Sequence, residues 1–462
     1  MSNEVLSGMT ARYYTLGCKL NFSETSTFRN GLMNLGVSDA KEGVPADICI
    51  INTCSVTGEA DHKCRQIIHR MVRENPDSYV VVTGCYAQLE APEIAAIPGV
   101  SLVLGSNEKA TLVSRVATEI QAERQKIESE SKEKTFGENH LENGKEQDDE
   151  VEVSPLRSIR SFQPSCSRGN RTRYFLKVQD GCNYFCTYCT IPFARGLSRN
   201  PSIESLVKQA EQAAAEGGKE IVITGVNIGD FGKTTHEKFI DLVKALDQVK
   251  GIHRYRISSL EPDLLSDELL DYCAHSRAFM PHFHIPLQSG SDTVLKLMHR
   301  RYDTALFAHK INYIKKVMPD AFIGVDVMVG CRGEHPEHFD ETYRFLDSLP
   351  VTQLHVFPYS ERPGTAALRI PYVVDKAERK RRAHELISLS NRKTHDFYAA
   401  HIGQKAEVLF EHAPEEHPMH GFTSNYIRVE LPAEKASDEL DNELITVTLG
   451  GFNADGSALI AQ

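Results

Sequence analysis

The stretch "RYFLKVQDGCNYFCTYCTIPFARG" (residues 173–196) decides the fold of the central part of the chain. Its first eight residues have the apolar character of a β-strand, and a cysteine-rich loop follows at once. Cys182, Cys186 and Cys189 are spaced C-x3-C-x2-C in this loop. Three cysteines so close together after a strand favour a metal site over incidental thiols.

Strands and helical patterns alternate from this stretch onward. The predicted strands are "RYFLKVQD", "EIVITGVN", "HRYRISSL", "HFHIPLQ", "FIGVDVMVG" and "TQLHVFPY". Six strand–helix units in series predict a (β/α)6 partial TIM barrel over residues 156–398, with its chemistry at the carboxyl ends of the strands. The cysteine loop follows the first of these strands, so we expect it at the functional end.

Residues 10–120 show the same alternation and predict an N-terminal parallel α/β domain. Its predicted strands are "YYTLGC", "ADICIINTC", "YVVVTGC" and "VSLVLGS". Three of them end in a cysteine, namely Cys18, Cys54 and Cys85. Because the carboxyl ends of parallel strands meet at one edge of a sheet, we expect these cysteines to converge.

Two acidic segments complete the chain. Residues 121–155 are rich in Glu, Lys, Ser and Asn, which predicts a flexible or partly helical linker. Residues 399–462 show short alternating strands with Gly and Asn turns, which predict a small antiparallel β barrel. The sequence therefore predicts an α/β multidomain protein.

Composition is that of an ordinary globular protein, with 41% hydrophobic and 25% charged residues among 462. The start of the chain lacks a basic region followed by an apolar one, and no stretch approaches the ~18 apolar residues of a membrane span. We therefore expect a cytoplasmic protein with no membrane partner. Eleven cysteines in such a chain favour metal or redox chemistry over disulfides.

The formal charge of −11 argues against nucleic acid, but its distribution is uneven. Residues 121–153 carry a net charge of −6 and residues 401–462 carry −8, so the rest of the chain sums to +3. Residues 154–179 hold five arginines, one lysine and no acid, and "KAERKRRAHE" (376–385) is a second basic cluster. Each patch is equally consistent with a solvated helix face or a flexible arm.

A C-x3-C-x2-C loop can give three thiolates to a 4Fe-4S cluster and leave the fourth iron without a protein ligand. An open coordination position is what a catalytic metal keeps and a structural metal closes. Two alternatives are a zinc site with a distant fourth ligand and free thiols without metal. In the N-terminal domain Cys64, ten residues after Cys54, is an alternative ligand.

The loop, with Tyr188 before its last cysteine, resembles that of the radical S-adenosylmethionine superfamily. In chain order, "TLGCKLNFSET", "NTCSVTGEADHKCRQ", "VTGCYAQ" and "DGCNYFCTYCTIPFARG" are similar to the methylthiotransferase family within it. These motifs are most similar to those of the family members that act on N6-threonylcarbamoyladenosine in tRNA. This resemblance covers essentially the whole chain outside the acidic linker.

The resemblance implies two 4Fe-4S clusters. One would be held by Cys182, Cys186 and Cys189 and would bind S-adenosylmethionine, and an auxiliary cluster would be held by Cys18, Cys54 and Cys85. S-adenosylmethionine would be both methyl donor and radical source, with an external electron donor and a sulfur donor. The implied reaction replaces C2-H by C2-SCH3 on N6-threonylcarbamoyladenosine 3′ of the anticodon, and the inert C-H bond explains the need for a radical.

The resemblance also implies further site residues. In the superfamily, S-adenosylmethionine is contacted at positions that correspond here to Tyr188, Gly225, Asn227, Glu261, Gln288 and Ser289, although several of these residues could equally serve turns or caps. The C-terminal domain resembles the TRAM type, which binds RNA, although its acidity would weaken contacts to phosphates. RNA contacts are expected from Arg168, Arg171, Arg173, Tyr426 and Arg428, or from the cluster at 376–385.

Three other functions stay open at this point. They are methylthiolation of a ribosomal-protein aspartate, methylthiolation of isopentenyladenosine in tRNA, and non-catalytic RNA binding by an iron-sulfur or zinc protein. An acidic tail domain could dock a basic protein, which favours the first. The incomplete ligand set argues against the last, because a binding module has no need for an open iron.

Overall fold

The computed structural model describes residues 6–133, 150–167, 172–414 and 416–462. The described residues belong to two compact units. The N-terminal unit draws on Met1–Ser165 and Thr190–Leu197, and the C-terminal unit on Cys166–Cys189 and Ser198–Gln462. None of the helices in the described part combines the length and the apolar character needed to cross a membrane.

A six-stranded parallel sheet forms the centre of the N-terminal unit. Its strands are β1 (Thr10–Thr15), β2 (Ser38–Asp39), β3 (Ile48–Thr53), β4 (Tyr79–Gly84), β5 (Leu102–Leu104) and β6 (Glu150–Glu152). They lie in the order β2-β1-β3-β4-β5-β6, and all neighbours are parallel. The helices are α1 (Lys19–Met33), α2 (Gly58–Glu74), α3 (Cys85–Leu89), α4 (Ala91–Ala95) and α5 (Leu112–Glu133). The predicted parallel α/β domain is confirmed.

Both faces of this sheet carry apolar side chains into a core. Cys49 and Ile51 of β3 belong to one apolar cluster, whereas Ile48 and Ile50 belong to another. Successive side chains of a strand point to opposite faces, so these clusters lie on the two sides of the sheet. A strand buried on both faces needs the continuous apolar run that "ICII" provides.

Both ends of the segment predicted as a linker, residues 121–155, carry regular structure. Helix α5 extends through residue 133, and β6 pairs in parallel with β5. The residues between them, 134–149, lie outside the described part of the chain.

A short segment after the second cysteine trio folds with the N-terminal unit. Thr190–Leu197, which contains α6 (Ile191–Arg195), belongs to this unit although the residues on either side belong to the other. The sequence predicts that this segment lies in the central barrel, within residues 156–398. Local periodicity does not report which core a five-residue helix packs against.

Six parallel strands form the centre of the C-terminal unit. They are β8 (Tyr174–Lys177), β9 (Glu220–Thr224), β10 (Arg254–Ile257), β11 (His282–Gln288), β12 (Phe322–Val329) and β13 (Gln353–Pro358), with the short β7 (Cys166–Ser167) antiparallel to β8. The ladders run β8-β9-β10 and β11-β12-β13, and the N-H of Leu260 donates to the carbonyl of His284 (3.1 Å) where they meet. The predicted (β/α)6 order is confirmed.

The helices of this unit follow the strands in alternation. They are α7 (Ile203–Ala215), α8 (Phe239–Asp247), α9 (Asp267–His275), α10 (Asp292–Leu297), α11 (Thr304–Val317), α12 (Pro336–Ser348) and α13 (Lys376–Ala399). Side chains of Ser202, Ser266 and Asp303 accept backbone N-H groups at the starts of α7, α9 and α11. Such N-caps satisfy donors that the first turn leaves unpaired.

The C-terminal strands close into a small barrel. They are β14 (Lys405–Glu411), β15 (Met419–Thr423), β16 (Arg428–Leu431), β17 (Leu444–Phe452) and β18 (Leu459–Ala461). Their order is β14-β15-β16-β18-β17, and every pair is antiparallel except β16–β18, which is parallel. The predicted barrel is confirmed, with this one parallel pair as a difference.

Two arginines of β10 join this barrel to the six-stranded centre. Arg254 donates to the carbonyls of Phe422 and Glu407, and Arg256 to those of Ser424 and Thr423, all at 2.8 Å. The two guanidinium groups are buried beside Glu220, whose carboxylate accepts from Arg256 Nε at 2.9 Å. Buried charges of this kind are tolerated because they are paired and hydrogen-bonded.

Candidate metal and cofactor sites

The structure places Cys18, Cys54 and Cys85 at one edge of the N-terminal sheet. Cys54 directly follows β3, Cys85 directly follows β4, and Cys18 lies three residues after β1 as the N-cap of α1. Strands β1, β3 and β4 are neighbours, and all run in the same direction. The expected convergence follows from this order, since the three strands deliver their carboxyl ends side by side.

Two glycines allow these cysteine loops to approach one another. Gly84 has φ of +110°, and a Cβ there would lie 2.3 Å from the carbonyl oxygen of Thr53. Gly17 has φ of +117°, and its Cβ would lie 2.9 Å from the Cβ of Cys54. A side chain at either position would meet both a strained backbone and a steric clash.

The thiols of this trio differ in exposure. Cys54 and Cys85 are buried, whereas Cys18 is exposed. Burial, followed by the neighbouring Cys85, raises the pKa of the Cys54 thiol to about 12. A thiol in such a place becomes a thiolate when a cationic metal centre takes the place of its proton.

Cys64 of α2 is close to this trio but is engaged differently. Its Sγ donates to the carbonyl oxygen of Cys54 at 3.3 Å, and burial raises the pKa of its thiol to about 11. The hydrogen bond holds the Cys64 thiol on the backbone of the Cys54 loop.

Cys182, Cys186 and Cys189 lie in the loop after β8, at the carboxyl end of the first barrel strand. Cys186 is buried, and the other two are half-buried. The N-H of Cys189 donates to the carbonyl of Cys186 (3.0 Å), and the N-H of Tyr184 to the Sγ of Cys182 (3.5 Å). Phe185 between them has φ of +50°, which turns the chain sharply. The loop thus presents three cysteines within one tight turn.

Arg300 contacts this trio and was not identified from the sequence. Its Nη1 donates to the Sγ of Cys186 at 3.2 Å, its Nη2 forms an ion pair with Glu261, and its Nε donates to the hydroxyl of Tyr302 at 3.0 Å. Burial raises the pKa of Glu261 to about 7, although Arg300 acts in the opposite direction. The Arg300 guanidinium therefore contacts both Glu261, which is predicted to bind the cofactor, and Cys186, a predicted cluster ligand.

Gln179 organises the ends of β8 and β9. Its Oε1 accepts the N-H groups of Val226 (3.0 Å) and Asn227 (2.8 Å), and its Nε2 donates to the carbonyl of Gly181 (2.7 Å). A Cβ at Gly225 would lie 3.0 Å from the Gln179 carbonyl oxygen. The predicted residue Gly225 thus permits a close approach of two loops.

The side chain of Asn227 is 2% exposed, and neither its Oδ1 nor its Nδ2 has a hydrogen-bond partner among the residues that the structure describes. Leaving a buried polar group unpaired costs about 1–3 kcal/mol. An amide with an unpaired donor and an unpaired acceptor at the carboxyl end of a barrel strand fits a polar ligand.

The remaining predicted cofactor residues occupy different surroundings. Gln288 ends β11 with φ of +67°, and buried Ser289 places its hydroxyl 3.3 Å from that of Thr342. Tyr188 packs against an apolar cluster that includes Met298. Ser289 therefore has a structural partner already, whereas Asn227 has none.

No three His, Cys, Asp or Glu side chains among the described residues are grouped closely enough to hold one metal ion. In a tetrahedral zinc site with Zn-S of about 2.3 Å, two thiolates lie about 4 Å apart. A core of four irons and four sulfides is larger, and its protein ligands stand around its corners. The two trios have the cysteine donor set that such clusters use.

Of the predicted RNA-contacting residues, Arg173 and Tyr426 are engaged within the C-terminal unit. Arg173 pairs with Glu411 (3.0 Å) and donates to the hydroxyl of Tyr426 (3.2 Å). The Tyr426 ring lies 4.1 Å from that of His282 and 4.6 Å from that of Phe422. These contacts give both residues a role in docking the small barrel. Arg168 and Arg171 lie outside the described residues.

Arg428 lines a cleft of about 750 Å³ between α13 and the small barrel. The cleft also contains Arg392, His395 and Phe452, and the last two rings stack at 4.5 Å. Two arginines beside stacked rings are groups that RNA-binding surfaces use for phosphates and bases.

Two family models match the chain. The Radical SAM superfamily matches residues 176–346, and the family described as Uncharacterized protein family UPF0004 matches residues 10–105. The threonylcarbamoyladenosine tRNA methylthiotransferase MtaB of Bacillus subtilis (strain 168) is 37% identical over 450 residues, which cover 95% of this chain and 93% of that relative. The chain belongs to the radical S-adenosylmethionine methylthiotransferase family.

Another family member, the protein of the same name from Aquifex aeolicus (strain VF5), is 34% identical, covering 95% of this chain and 100% of that one. Among solved structures, the radical S-adenosylmethionine methyltransferase TsrM from Kitasatospora setae aligns with a TM-score of 0.52 over 76% of this chain and 73% of its own, at 15% identity. This structural likeness concerns the fold.

Proposed function

We propose that this methylthiotransferase replaces C2-H by C2-SCH3 on N6-threonylcarbamoyladenosine 3′ of the anticodon in tRNA. The observation that carries the proposal is the presence of two cysteine trios, each at the carboxyl ends of parallel strands. Relatives that are similar over almost the whole chain bear the name of this activity.

The cysteine trio of the barrel, Cys182, Cys186 and Cys189, is assigned to a 4Fe-4S cluster that binds S-adenosylmethionine. When bound, this pair supplies a carbon-centred radical that can abstract hydrogen from an inert C-H bond. Arg300 donates to one thiolate and holds Glu261 in place. Asn227 offers its unpaired amide to the polar groups of S-adenosylmethionine. Tyr188, Gly225, Gln288 and Ser289 are assigned to the same cofactor.

Cys18, Cys54 and Cys85 are assigned to a second 4Fe-4S cluster. Three ligands again leave one iron free of protein, which suits a position for exogenous sulfur. The residues of this edge exclude water from Cys54 and Cys85, both buried, while Cys18 is exposed. An external electron donor and a sulfur donor complete the reaction.

Arg428 and the cleft beside α13 are assigned to contacts with tRNA. The cleft holds Arg428, Arg392, which pairs with Asp347, and the carboxylate of Asp455. Because the small barrel is acidic as a whole, contacts to phosphates are assigned to Arg428 locally rather than to the whole barrel. Tyr426 lines the same cleft, and Arg173 donates to its hydroxyl and pairs with Glu411. We assign the reaction to the cytoplasm on the basis of the proposed tRNA substrate.

Anaerobic reconstitution with counting of iron and sulfide tests the assignment. The wild-type chain is expected to hold two clusters, and variants with either trio changed to Ala to hold one. With a reductant, sulfide as the sulfur donor and S-adenosylmethionine, the wild-type protein is expected to release 5′-deoxyadenosine and to methylthiolate an anticodon stem-loop carrying N6-threonylcarbamoyladenosine. A stem-loop carrying isopentenyladenosine is the control substrate. One cluster in a chain with all six cysteines intact, or preference for the control, would contradict the proposal.

A further inference from the structure

Four buried polar side chains from separate segments of the N-terminal unit form a connected network. They are Asn21 and Glu24 of α1, Lys109 before α5, and Arg195 of α6, each at most 3% exposed. Two cations and one carboxylate in a buried place are costly unless they are paired and hydrogen-bonded. Here Glu24 accepts from both Lys109 and Arg195, so the buried charges are paired within the network.

Asn21 holds the loops of two cysteines. Its Nδ2 donates to the carbonyl of Leu16 at 2.8 Å and to that of Thr53 at 2.9 Å. Leu16 lies two residues before Cys18, and Thr53 lies immediately before Cys54. A single amide group thus fixes the separation between two cysteine loops that come from neighbouring strands.

Arg195 fixes the orientation of that amide. Its Nη2 donates to Oδ1 of Asn21, so Nδ2 must face the two carbonyls. Its Nη1 donates to Oε1 of Glu24 at 3.1 Å, and Oε2 of Glu24 accepts from Lys109 Nζ at 2.6 Å. These hydrogen bonds link Asn21, Arg195, Glu24 and Lys109 in series. The Asn21 amide is therefore held in a single orientation.

The segment that carries Arg195 is anchored next to the same loops. The hydroxyl of Thr190 donates to the carbonyl of Ser55 (3.3 Å), and that of Ser106 donates to the carbonyl of Ala194 (2.6 Å). Ser55 directly follows Cys54. Helix α6 is therefore anchored at both ends, and the Arg195 guanidinium contacts Asn21 from a fixed backbone.

We propose that Asn21, oriented by Arg195, is the positioning residue that sets the spacing of Cys18 and Cys54 for the auxiliary cluster. This inference rests on the proposed function, because it concerns the ligands assigned there. Ligands held in place before binding reduce the ordering cost of assembly, and supporting hydrogen bonds tune the bound metal.

Two variants test the inference. Asn21→Asp keeps the shape and the contact to Arg195 but cannot donate to the carbonyls of Leu16 and Thr53. Arg195→Lys is milder, since it keeps the charge but loses the planar fork that contacts Asn21 and Glu24 together. Arg382→Lys is the matched control, because Arg382 is a buried arginine paired with Glu334 at 2.7 Å in the C-terminal unit.

The first readout is alkylation of the metal-free chain, followed residue by residue by mass spectrometry. Asn21→Asp is expected to speed alkylation of Cys54 by about tenfold, which corresponds to ~1.4 kcal/mol of loop opening. Arg195→Lys is expected to give a smaller increase. Alkylation of buried Cys273 in the other unit should not change, and Arg382→Lys should leave Cys54 as in the wild type.

The second readout is the spectrum and reduction potential of the auxiliary cluster in chains with Cys182, Cys186 and Cys189 changed to Ala. Asn21→Asp and Arg195→Lys are expected to lower iron retention and shift the spectrum of the cluster that is retained, whereas Arg382→Lys changes only global stability. Alkylation and spectra that match the wild type in both variants would overturn the inference. If the unsubstituted trio holds no iron, the second cluster of the proposed function fails, while alkylation still decides the role of Asn21.

Discussion

Nη1 of Arg300 lies 3.2 Å from the Sγ of Cys186, and the same guanidinium pairs with Glu261. One cation therefore contacts both a proposed cluster ligand and a proposed cofactor-binding carboxylate. Hydrogen bonds to cluster sulfurs and nearby positive charge stabilise the reduced, more negative state.

Replacing Arg300 by Met should lower the reduction potential of the barrel cluster. Loss of a charged hydrogen bond to a thiolate makes reduction about tenfold less favourable, which is ~59 mV for one electron. Potentiometric titration of chains that lack the N-terminal trio measures this shift. Arg300→Lys keeps the charge, so its reduction potential should lie between those of the wild type and of Arg300→Met. A reduction potential that is unchanged in Arg300→Met would contradict the role assigned to Arg300.

Replacing Asn227 by Ala should weaken the binding of S-adenosylmethionine without lowering the stability of the folded chain. Both amide atoms are unpaired within the described part of the chain, so their removal should leave the unfolding free energy of the metal-free protein unchanged or slightly higher. Binding of S-adenosylmethionine to the reconstituted protein should weaken about tenfold, as measured by equilibrium dialysis. Unchanged affinity together with lower stability would indicate a purely structural residue.

Gly84→Ala should disrupt the turn that presents Cys85. The new Cβ would lie 2.3 Å from a backbone oxygen, and the φ of +110° adds strain of about 1–3 kcal/mol. Gly43→Ala is the matched control, since Gly43 has φ of +74° but nothing within 4 Å of its added Cβ. Urea denaturation should show a much larger loss for Gly84→Ala, and equal losses would refute the steric explanation.

Glu220 should make stability depend on pH. Burial raises the pKa of this carboxyl, but Arg256, Arg173 and Arg254 outweigh burial and hold the pKa below its ordinary value. Because the folded pKa is lowered, the stabilisation is present above the unfolded pKa of about 4.3 and is lost as pH falls through the folded value.

Glu220→Gln should therefore destabilise the chain by about 3 kcal/mol at pH 7, with a smaller difference below pH 4. Denaturant titration at several pH values measures both. Glu204→Gln, at an exposed carboxylate paired with Lys208, should change little at any pH. A difference for Glu220→Gln that is constant with pH would contradict the electrostatic explanation.

Arg428 and Arg173 should respond differently to substitution. Arg428→Ala removes one proposed phosphate contact, so the slope of log affinity for tRNA against log salt should fall by about 0.9. Arg173→Ala breaks a docking contact and should lower stability instead. An unchanged salt slope in Arg428→Ala would remove Arg428 from the RNA interface.

The positions of the cysteines at strand ends could be predicted because the information is local. A short apolar run followed by a helical pattern marks a strand and its end, so "ICIINTC" locates both β3 and Cys54. The convergence of Cys18, Cys54 and Cys85 needed one further fact, the adjacency of β1, β3 and β4, which is common for consecutive strands.

Contacts between distant residues could not be predicted in this way. Arg195 and Asn21 are 174 residues apart, and Arg300 and Cys186 are 114 apart, so no local pattern joins them. For the same reason, no local pattern joins the five-residue helix α6 to the N-terminal unit with which it folds. Arg173 and Tyr426 were predicted at an RNA surface because basic and aromatic residues suggest one, and their contacts to each other and to His282 within the C-terminal unit leave no local signal in the sequence.

The most direct test of the proposed activity is nucleoside mass spectrometry of total tRNA from a strain that lacks this gene. We expect loss of 2-methylthio-N6-threonylcarbamoyladenosine and accumulation of N6-threonylcarbamoyladenosine. The wild-type chain should restore the methylthio form, and Cys54→Ala or Cys186→Ala should not. A nucleoside profile that does not change when the gene is deleted would show that the chain does not modify N6-threonylcarbamoyladenosine in tRNA.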